Sequence, residues 1–327
     1  MALRGNTVDR PAFGEGPVFK VGAEEELLLV NAMSGDLSGS GPETLERGDW
    51  SAGQALPEIC QSVIEFVTPV CAHAAEAAEV LSNLRWQAHQ AGSTVLGSGV
   101  HPNGRLGDVP LTRGARYDAV AASLRGLLRR TPHCGLHVHV GMPDAETGVR
   151  ALNGMRKWLP MLVALGANSP FWHGCDSGLS SARSVIARSL PRSGPPPVFR
   201  DYDDYRATVN ALVAAGELID FREIWWDARL QPALGTLEVR ALDAQSSLLD
   251  IAGLVALVHC LAVHEAQQAR CDPGPTHEIL EETIFRAFRD GRCGPALLRG
   301  RATAIARDLR RGSQAGRRAR ARSELRV

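Results

Sequence analysis

Apolar and polar residues alternate in six stretches of the chain and recur at helical spacing in six others. Residues 19–30, FKVGAEEELLLV, open as a strand, and residues 62–68, SVIEFVT, form a second that Pro69 ends. Residues 94–100 and 134–141, the latter CGLHVHVG, add two more. Residues 223–230 and 236–242 read as strands joined by a turn around Pro232 and Gly235. Helical spacing covers 74–91, where Gly92 is the stop, and 116–130, 144–165, 202–215, 248–269 and 276–288. Pro160 predicts a kink or break within the third of these helices. Residues 168–200 are polar and rich in Gly and Pro, a connection long enough to be functional or disordered. Strands and helices do not alternate regularly. The order therefore predicts an α+β fold with a largely antiparallel sheet, and neither a doubly wound sheet nor a barrel of eight repeats.

Composition narrows the class. The chain has 327 residues, 44% of them hydrophobic, which suits one large globular unit or two small ones. Its 36 basic and 36 acidic groups cancel, but unevenly. From residue 299 onward ten arginines face only Asp308 and Glu324, so the rest of the chain keeps 26 basic against 34 acidic groups. A body with that acidic excess is not a nucleic-acid binder driven by basic charge. Seven cysteines, odd in number and never spaced as CxxC, indicate neither a zinc ribbon nor a disulfide framework. A reducing, cytoplasmic setting is the expectation. The longest apolar run, 251–263, is interrupted by His259 and falls short of the roughly 18–20 residues of a membrane span, so it reads as a buried helix of a soluble protein. The expected organisation is an arm over 1–18, a single catalytic domain over 19–298, and an arginine-rich, disordered tail over 299–327.

Ionisable residues stand on four of the predicted strands. Glu24 and Glu26 share one face of theirs, with Glu25 on the other. Adjacent carboxylates repel unless a cation sits between them or they lie on a solvated edge. Glu65 is set in the middle of VIEFV, and Glu58 precedes it by seven residues. His137 and His139 share a face, an arrangement that suits two ligands of one metal or two hydrogen-bonded core histidines. His139, Trp225 and Trp226 are read as packing residues. Thr236, Glu238 and Arg240 alternate with Leu237 and Val239, as a structural ion pair or as a metal ligand beside an anion-binding guanidinium. As unrelated buried charges these groups would be costly, whereas one polar sheet face holding divalent cations removes the objection. Neither GxxxxGK[ST] nor GxGxxG occurs, so any nucleotide must be held by metals and arginines.

The segments GAEEELLLV (22–30), IEFVTPVC (64–71), GVHP (99–102), CGLHVHVGMPD (134–144), GANSPFWHGCDSGLSSAR (166–183), WWDAR (225–229) and GTLEVRALD (235–243) occur in an order that resembles the carboxylate–amine ligases, also called glutamate–cysteine ligase type 2. That resemblance implies a glutamine synthetase-like fold, a curved antiparallel sheet flanked by helices. It also implies ATP-dependent joining of a glutamate-like carboxylate to an amine, cysteine or another, with Mg²⁺ or Mn²⁺ and through an acyl phosphate. Residue by residue, it implies metal-binding acids at Glu24, Glu26, Glu58, Glu65 and Glu238, a metal-binding histidine at His137, and Arg240 facing the γ-phosphate. Glu65 and Glu238 would thereby also serve ATP binding, and Arg183 or Arg229 would hold a substrate carboxylate. The partners implied are small molecules, with no nucleic acid and no membrane, and a homodimer is compatible with the sequence. The chain departs from the family in its arginine-rich end and in Leu230, where members often carry proline.

Two other readings compete. A degenerate member with a binding or regulatory role would fold without turning over ATP. A metal-dependent hydrolase could use the HxH strand. An amidohydrolase would need further ligands and often a bridging lysine, yet the chain has only Lys20 and Lys157. A cupin would need a Glu closer to the histidines than Glu146.

Overall fold

A computed structural model describes residues 8–293 other than Leu106, Asp108, Val109 and Arg130. The described residues up to Gly291 belong to one compact unit, and the arginine-rich segment 299–327 lies outside the described residues. Seven strands build its sheet: β1 (Val21–Val30), β2 (Gln54–Pro57), β3 (Val63–Val67), β4 (Thr94–Leu96), β5 (Gly135–Gly141), β6 (Ala228–Gln231) and β7 (Thr236–Asp243). Their order is β6-β7-β5-β1-β3-β2, with β4 also pairing β1. Every pairing in this sheet is antiparallel, as the element order predicts.

Among the described residues nine α-helices accompany it: α1 (Gly41–Arg47), α2 (Ala74–Gln90), α3 (Ala115–Leu124), α4 (Ala145–Met155), α5 (Leu159–Gly166), α6 (Ala182–Arg188), α7 (Tyr202–Ala215), α8 (Leu248–Ala266) and α9 (His277–Asp290). One sheet face is apolar. Val21, Ala23 and Leu27 of β1, Leu136, Val138 and Val140 of β5, and Leu237 and Val239 of β7 are buried on it, against α2, α4 and α8. By length and composition alone α8 could cross a membrane, with a window of mean hydropathy 1.7. Here Ile251, Leu254, Val255, Val258 and Leu261 are instead buried in the protein.

Period two sends Glu25 to this apolar side, where it is fully buried. It survives there because Arg85 of α2 grips both carboxylate oxygens, Nε donating to Oε2 at 3.0 Å and Nη2 donating to Oε1. The same guanidinium donates to the carbonyls of Gln245 and Ser246 between β7 and α8. One arginine thus ties the central strand to α2 and to the entry of α8.

The structure departs from sequence expectation in several places, among them the strand expected over 223–230, which is split into Trp225–Trp226 and Ala228–Gln231 in different sheets. The segment 168–200 is not an uninterrupted loop: it contains α6, a two-residue strand pair at Phe171–Trp172 and Cys175–Asp176, and a parallel pairing of Ser193–Gly194 with Trp225–Trp226. Tertiary contacts decide it. Asp243 at the end of β7 accepts hydrogen bonds from Ser169 Oγ (2.7 Å), Asn168 N (2.8 Å) and Ser181 Oγ (2.8 Å). Ser181 in turn caps α6. The break near Pro160 lies at Arg156–Trp158, a 3₁₀ turn, and the proline opens α5. A proline lacks an N–H and clashes with the carbonyl four residues back, so the α ladder yields before it and resumes with the ring in the first turn. Elements α1 and β2 have no signature in the sequence, being short and without an apolar period. The strand expected over 94–100 is only Thr94–Leu96. Residues 8–18 are docked: Val8 is buried and its carbonyl accepts from Tyr202 Oη (2.8 Å), and Ala12 N donates to Pro232 O (2.8 Å).

Removing one partner of a buried ion pair strands the other charge, at about 3–5 kcal/mol. Arg85→Ala is therefore expected to lower the unfolding free energy by roughly that amount in urea denaturation. The double variant Glu25→Leu/Arg85→Leu should recover most of the loss. Equal destabilisation by both would contradict the buried-pair account.

Candidate active site

The other sheet face is polar, and strand register builds it. Glu24 stands opposite His137, and Glu26 opposite Glu65. Glu238 stands opposite His139 on one side and opposite Arg229 on the other. Residues directly opposed in an antiparallel pair share a face, so five strands deliver these side chains to one place. A bulge between Val239 and Leu242 breaks the register beside Arg240. Its guanidinium lies 3.5 Å from His137 Nδ1 and bonds Glu238 Oε1. Glu58 arrives from the turn after β2, where its Oε2 accepts from Ile59 N (3.0 Å).

Three groups of potential ligands lie along the face, each with its ligand atoms within 4.8 Å of one another: Glu26, Glu58 and Glu65; Glu24, Glu65 and His137; Glu24, His139 and Glu238. Glu65 belongs to the first two and Glu24 to the last two. Glu24 spans its pair of groups with separate oxygens, Oε2 at 3.3 Å from His137 Nδ1 and Oε1 at 3.2 Å from His139 Nε2. The result is a continuous row.

Charge along the row is unbalanced. Burial opposes ionisation of Glu238, but Arg229 and Arg240 hold its carboxyl far below the ordinary range. Burial likewise opposes ionisation of Glu24, but the His139 and His137 rings hold it well below that range. At the other end burial opposes ionisation of Glu26 too, but His137, Arg183 and Arg240 hold it below the ordinary range, while its two partners are pushed the opposite way. Burial and then the neighbouring Glu26 push Glu58 up to about 7. Burial followed by Glu24 and Glu58 pushes Glu65 well above its usual value. Among the described residues the Glu65 carboxylate accepts no hydrogen bond. Three carboxylates so close cannot all ionise without a cation. Nε2 of His137 and of His139 are buried and have no hydrogen-bond partner. Oxygen donors with two open imidazoles are the donor set of hard or borderline divalent ions, so these residues fit such metals.

The structure thus brings together Glu24, Glu26, Glu58, Glu65, His137, Glu238 and Arg240. Arg229 is committed elsewhere. Its Nε and Nη2 donate to Glu238 (2.7 and 3.3 Å), and its Nη1 donates to the carbonyls of Arg222 and Ile224 (2.9 and 2.8 Å). As found it positions Glu238, and each of its three nitrogens already makes at least one hydrogen bond. Arg183 lies against Gly135, where a side chain would collide with its guanidinium and with His137 Nε2. Its Nη2 donates to Arg240 O (3.2 Å) while Nε is buried with no partner. His139, read from sequence as packing, faces the row. Parity with His137 was visible in the sequence, but the pairing with Glu238 was not. Trp226 does pack, against Phe199 and Tyr205.

The sequence profile of glutamate–cysteine ligase family 2 matches residues 20–327. The chain belongs to glutamate–cysteine ligase family 2. It is therefore a ligase by class, forming C–N bonds between a carboxylate and an amine. A glutamate–cysteine ligase 2-1 of Rubrobacter xylanophilus, whose name marks the assignment as provisional, is 38% identical over 280 residues, covering 84% of this chain and 74% of the relative. A similarly named protein of Gloeobacter violaceus is 36% identical over 285 residues, 83% of this chain and 76% of its own. Among solved structures, a glutamate–cysteine ligase of Francisella tularensis in complex with AMP superposes with a TM-score of 0.63 at 13% identity, over 84% of this chain and 72% of that one. A bifunctional glutathione synthetase of Pasteurella multocida gives 0.58 at 13% identity, over 83% of this chain and 42% of that one. At such identities these two show the shared fold.

The crowded end yields a pH signature. Glu58 binds its proton more tightly folded than unfolded, so in metal-free protein its carboxyl costs stability as pH rises from the ordinary 4.5 to about 7. The melting temperature of Glu58→Gln relative to the parent chain should therefore climb across that window and level off above it. A difference independent of pH would contradict the clustering.

Proposed function

We propose that this ligase uses ATP and Mg²⁺ or Mn²⁺ to activate a glutamate-like carboxylate as an acyl phosphate and then joins it to an amine, cysteine or another. The observation that carries this reading is the row of bridged ligand groups ending beside Arg240. Glu26, Glu58 and Glu65 would hold one cation through oxygen alone, and Glu24, Glu65 and His137 a second. Glu238 supplies a further acid at the Arg240 end. Bound divalent ions neutralise phosphate oxygens and orient the phosphoryl group for in-line transfer.

The chain's own residues do the rest. Arg240 bonds Glu238 and would turn toward the γ-phosphate, where a guanidinium offers two parallel donors to phosphoryl oxygens. Arg229 keeps Glu238 in place while it does so. Arg183, with Nε unpartnered, is suited to a substrate carboxylate. A carboxylate oxygen of the acid attacks the γ-phosphorus and ADP leaves. The amine nitrogen then attacks the acyl carbon, the C–O bond to phosphate breaks, and the nitrogen loses a proton as the amide forms. Each turnover gives one ADP and one phosphate.

Purified protein with ATP, Mg²⁺ and a panel of acids and amines should form an amide detectable by mass spectrometry, with ADP as the nucleotide product. AMP in its place would rule out the acyl phosphate. Arg240→Ala is expected to lower kcat by about 10²–10³, the effect typical of losing one preorganised transition-state donor. Glu26→Ala should abolish turnover, and full activity in that variant would remove the cation assignment.

A further inference from the structure

We infer that Arg116 and Asp220 form a strap across the polar face, which closes behind the substrates and keeps water from the acyl phosphate. The inference rests on the phosphoryl-transfer reading above and adds two positioning residues to it. Strands β2 and β6 are the two edges of the sheet, and each holds one end of the strap. At the β2 edge Tyr117 Oη of α3 donates to Pro57 O (2.6 Å). The residues leading into α3 are stitched to the turn that carries Glu58. Thr112 N donates to Ile59 O (2.9 Å), Gln61 N donates to Pro110 O (3.0 Å), and Thr112 Oγ1 donates to Glu58 O. At the β6 edge Arg229 Nη1 donates to the carbonyls of Arg222 and Ile224. The turn after Asp220 is thereby bound to the guanidinium that grips Glu238. Between these ends Arg116 Nη1 donates to Asp220 Oδ2 at 3.1 Å, joining segments 104 residues apart in the chain.

The strap lies on the polar side of the sheet. Helices α2, α4 and α8 cover the apolar face, whereas α3 neighbours the row of acids: burial, then the charges of Glu58 and Glu65, push the Tyr117 hydroxyl up to about 12. Asp220 is gripped from its other side by Arg222, whose Nε and Nη2 both donate to Oδ2. The acceptor therefore keeps its place when Arg116 lets go. The Arg116 and Asp220 side chains are 38% and 25% exposed. An ion pair this open to water adds little stability and weakens with salt. Such a contact suits a closure that parts for a nucleotide to enter and re-forms behind it. One breakable pair thus links the segment bearing Glu58 to the brace of Glu238. With the strap open, a water oxygen could attack the acyl carbon in place of the amine. The C–O bond to phosphate would break, the water would lose a proton, and the acid and phosphate would be released without an amide.

The test measures ADP released per amide formed by the full chain with ATP, Mg²⁺, L-glutamate and L-cysteine. The parent should release close to one ADP per amide. Arg116→Ala should raise that ratio by about two- to tenfold as water reaches the intermediate, and Asp220→Asn should do the same. Arg116→Lys, which keeps the charge pair, should stay near the parent. Added salt should raise the ratio of the parent and leave that of Arg116→Ala unchanged. An unmoved ratio in Arg116→Ala would overturn the strap and leave the phosphoryl-transfer reading standing, whereas AMP as the nucleotide product would overturn that reading. A second measurement needs no turnover. Hydrogen–deuterium exchange of the ligand-free chain should be faster in Arg116→Ala than in the parent over both 110–117 and 220–224. Unchanged exchange in either segment overturns the strap, whether or not L-glutamate and L-cysteine are joined.

Discussion

Like charge gathered on one sheet face is the constraint to which the rest of this protein answers. Glu26, Glu58 and Glu65 crowd one end of the face, and Glu58 and Glu65 hold their protons more tightly than free carboxyls because burial and the neighbouring carboxylates outweigh the pull of Arg240. A fold tolerates such an arrangement when a ligand relieves it. In the proposed function that ligand is a divalent cation, and the phosphates of a nucleotide would follow its charge.

The surroundings answer this constraint with arginines aimed inward. Arg229 spends its donors on Glu238 and two carbonyls, Arg240 bonds Glu238, and Arg183 lies against Gly135 beside His137. Across the sheet Arg85 does the same for Glu25. Adjacent residues of one strand thus meet opposite fates. Glu25 is paired with an arginine of the protein, whereas Glu24 and Glu26 are the residues that the proposed function assigns to an incoming ion. Asp243 serves a different end, tying Asn168, Ser169 and Ser181 to the last residue of β7 so that α6 delivers Arg183.

Much of this was legible beforehand. The alternation in GAEEELLLV separates Glu25 from Glu24 and Glu26 on strand geometry alone, and the alternation in GTLEVRALD sets Glu238 and Arg240 on one side. The order of elements gave the antiparallel α+β class. Arg229 and His139 escaped because their roles depend on register. A strand sequence states which residues share a face but not which residue of another strand lies opposite. Arg229 meets Glu238 across the β6–β7 pair, and His139 meets it across β5–β7. The segment 168–200 escaped for a related reason, since a seven-residue helix capped by a serine has too short a period to detect and is held by Asp243 from far along the chain.

What the amino-acid order determined by itself was parity: which carboxylates and imidazoles leave each strand on the polar side, and that a chain with those motifs belongs among the carboxylate–amine ligases. Parity follows from the two-residue repeat of an extended backbone and needs no partner. Tertiary structure decided adjacency. Only strand pairing set Glu26 against Glu65 and Glu238 against His139, and only the return of the chain after β2 brought Glu58 to them. Distances between charges set their protonation and their capacity to share an ion, and those distances exist only once the sheet has closed on its register.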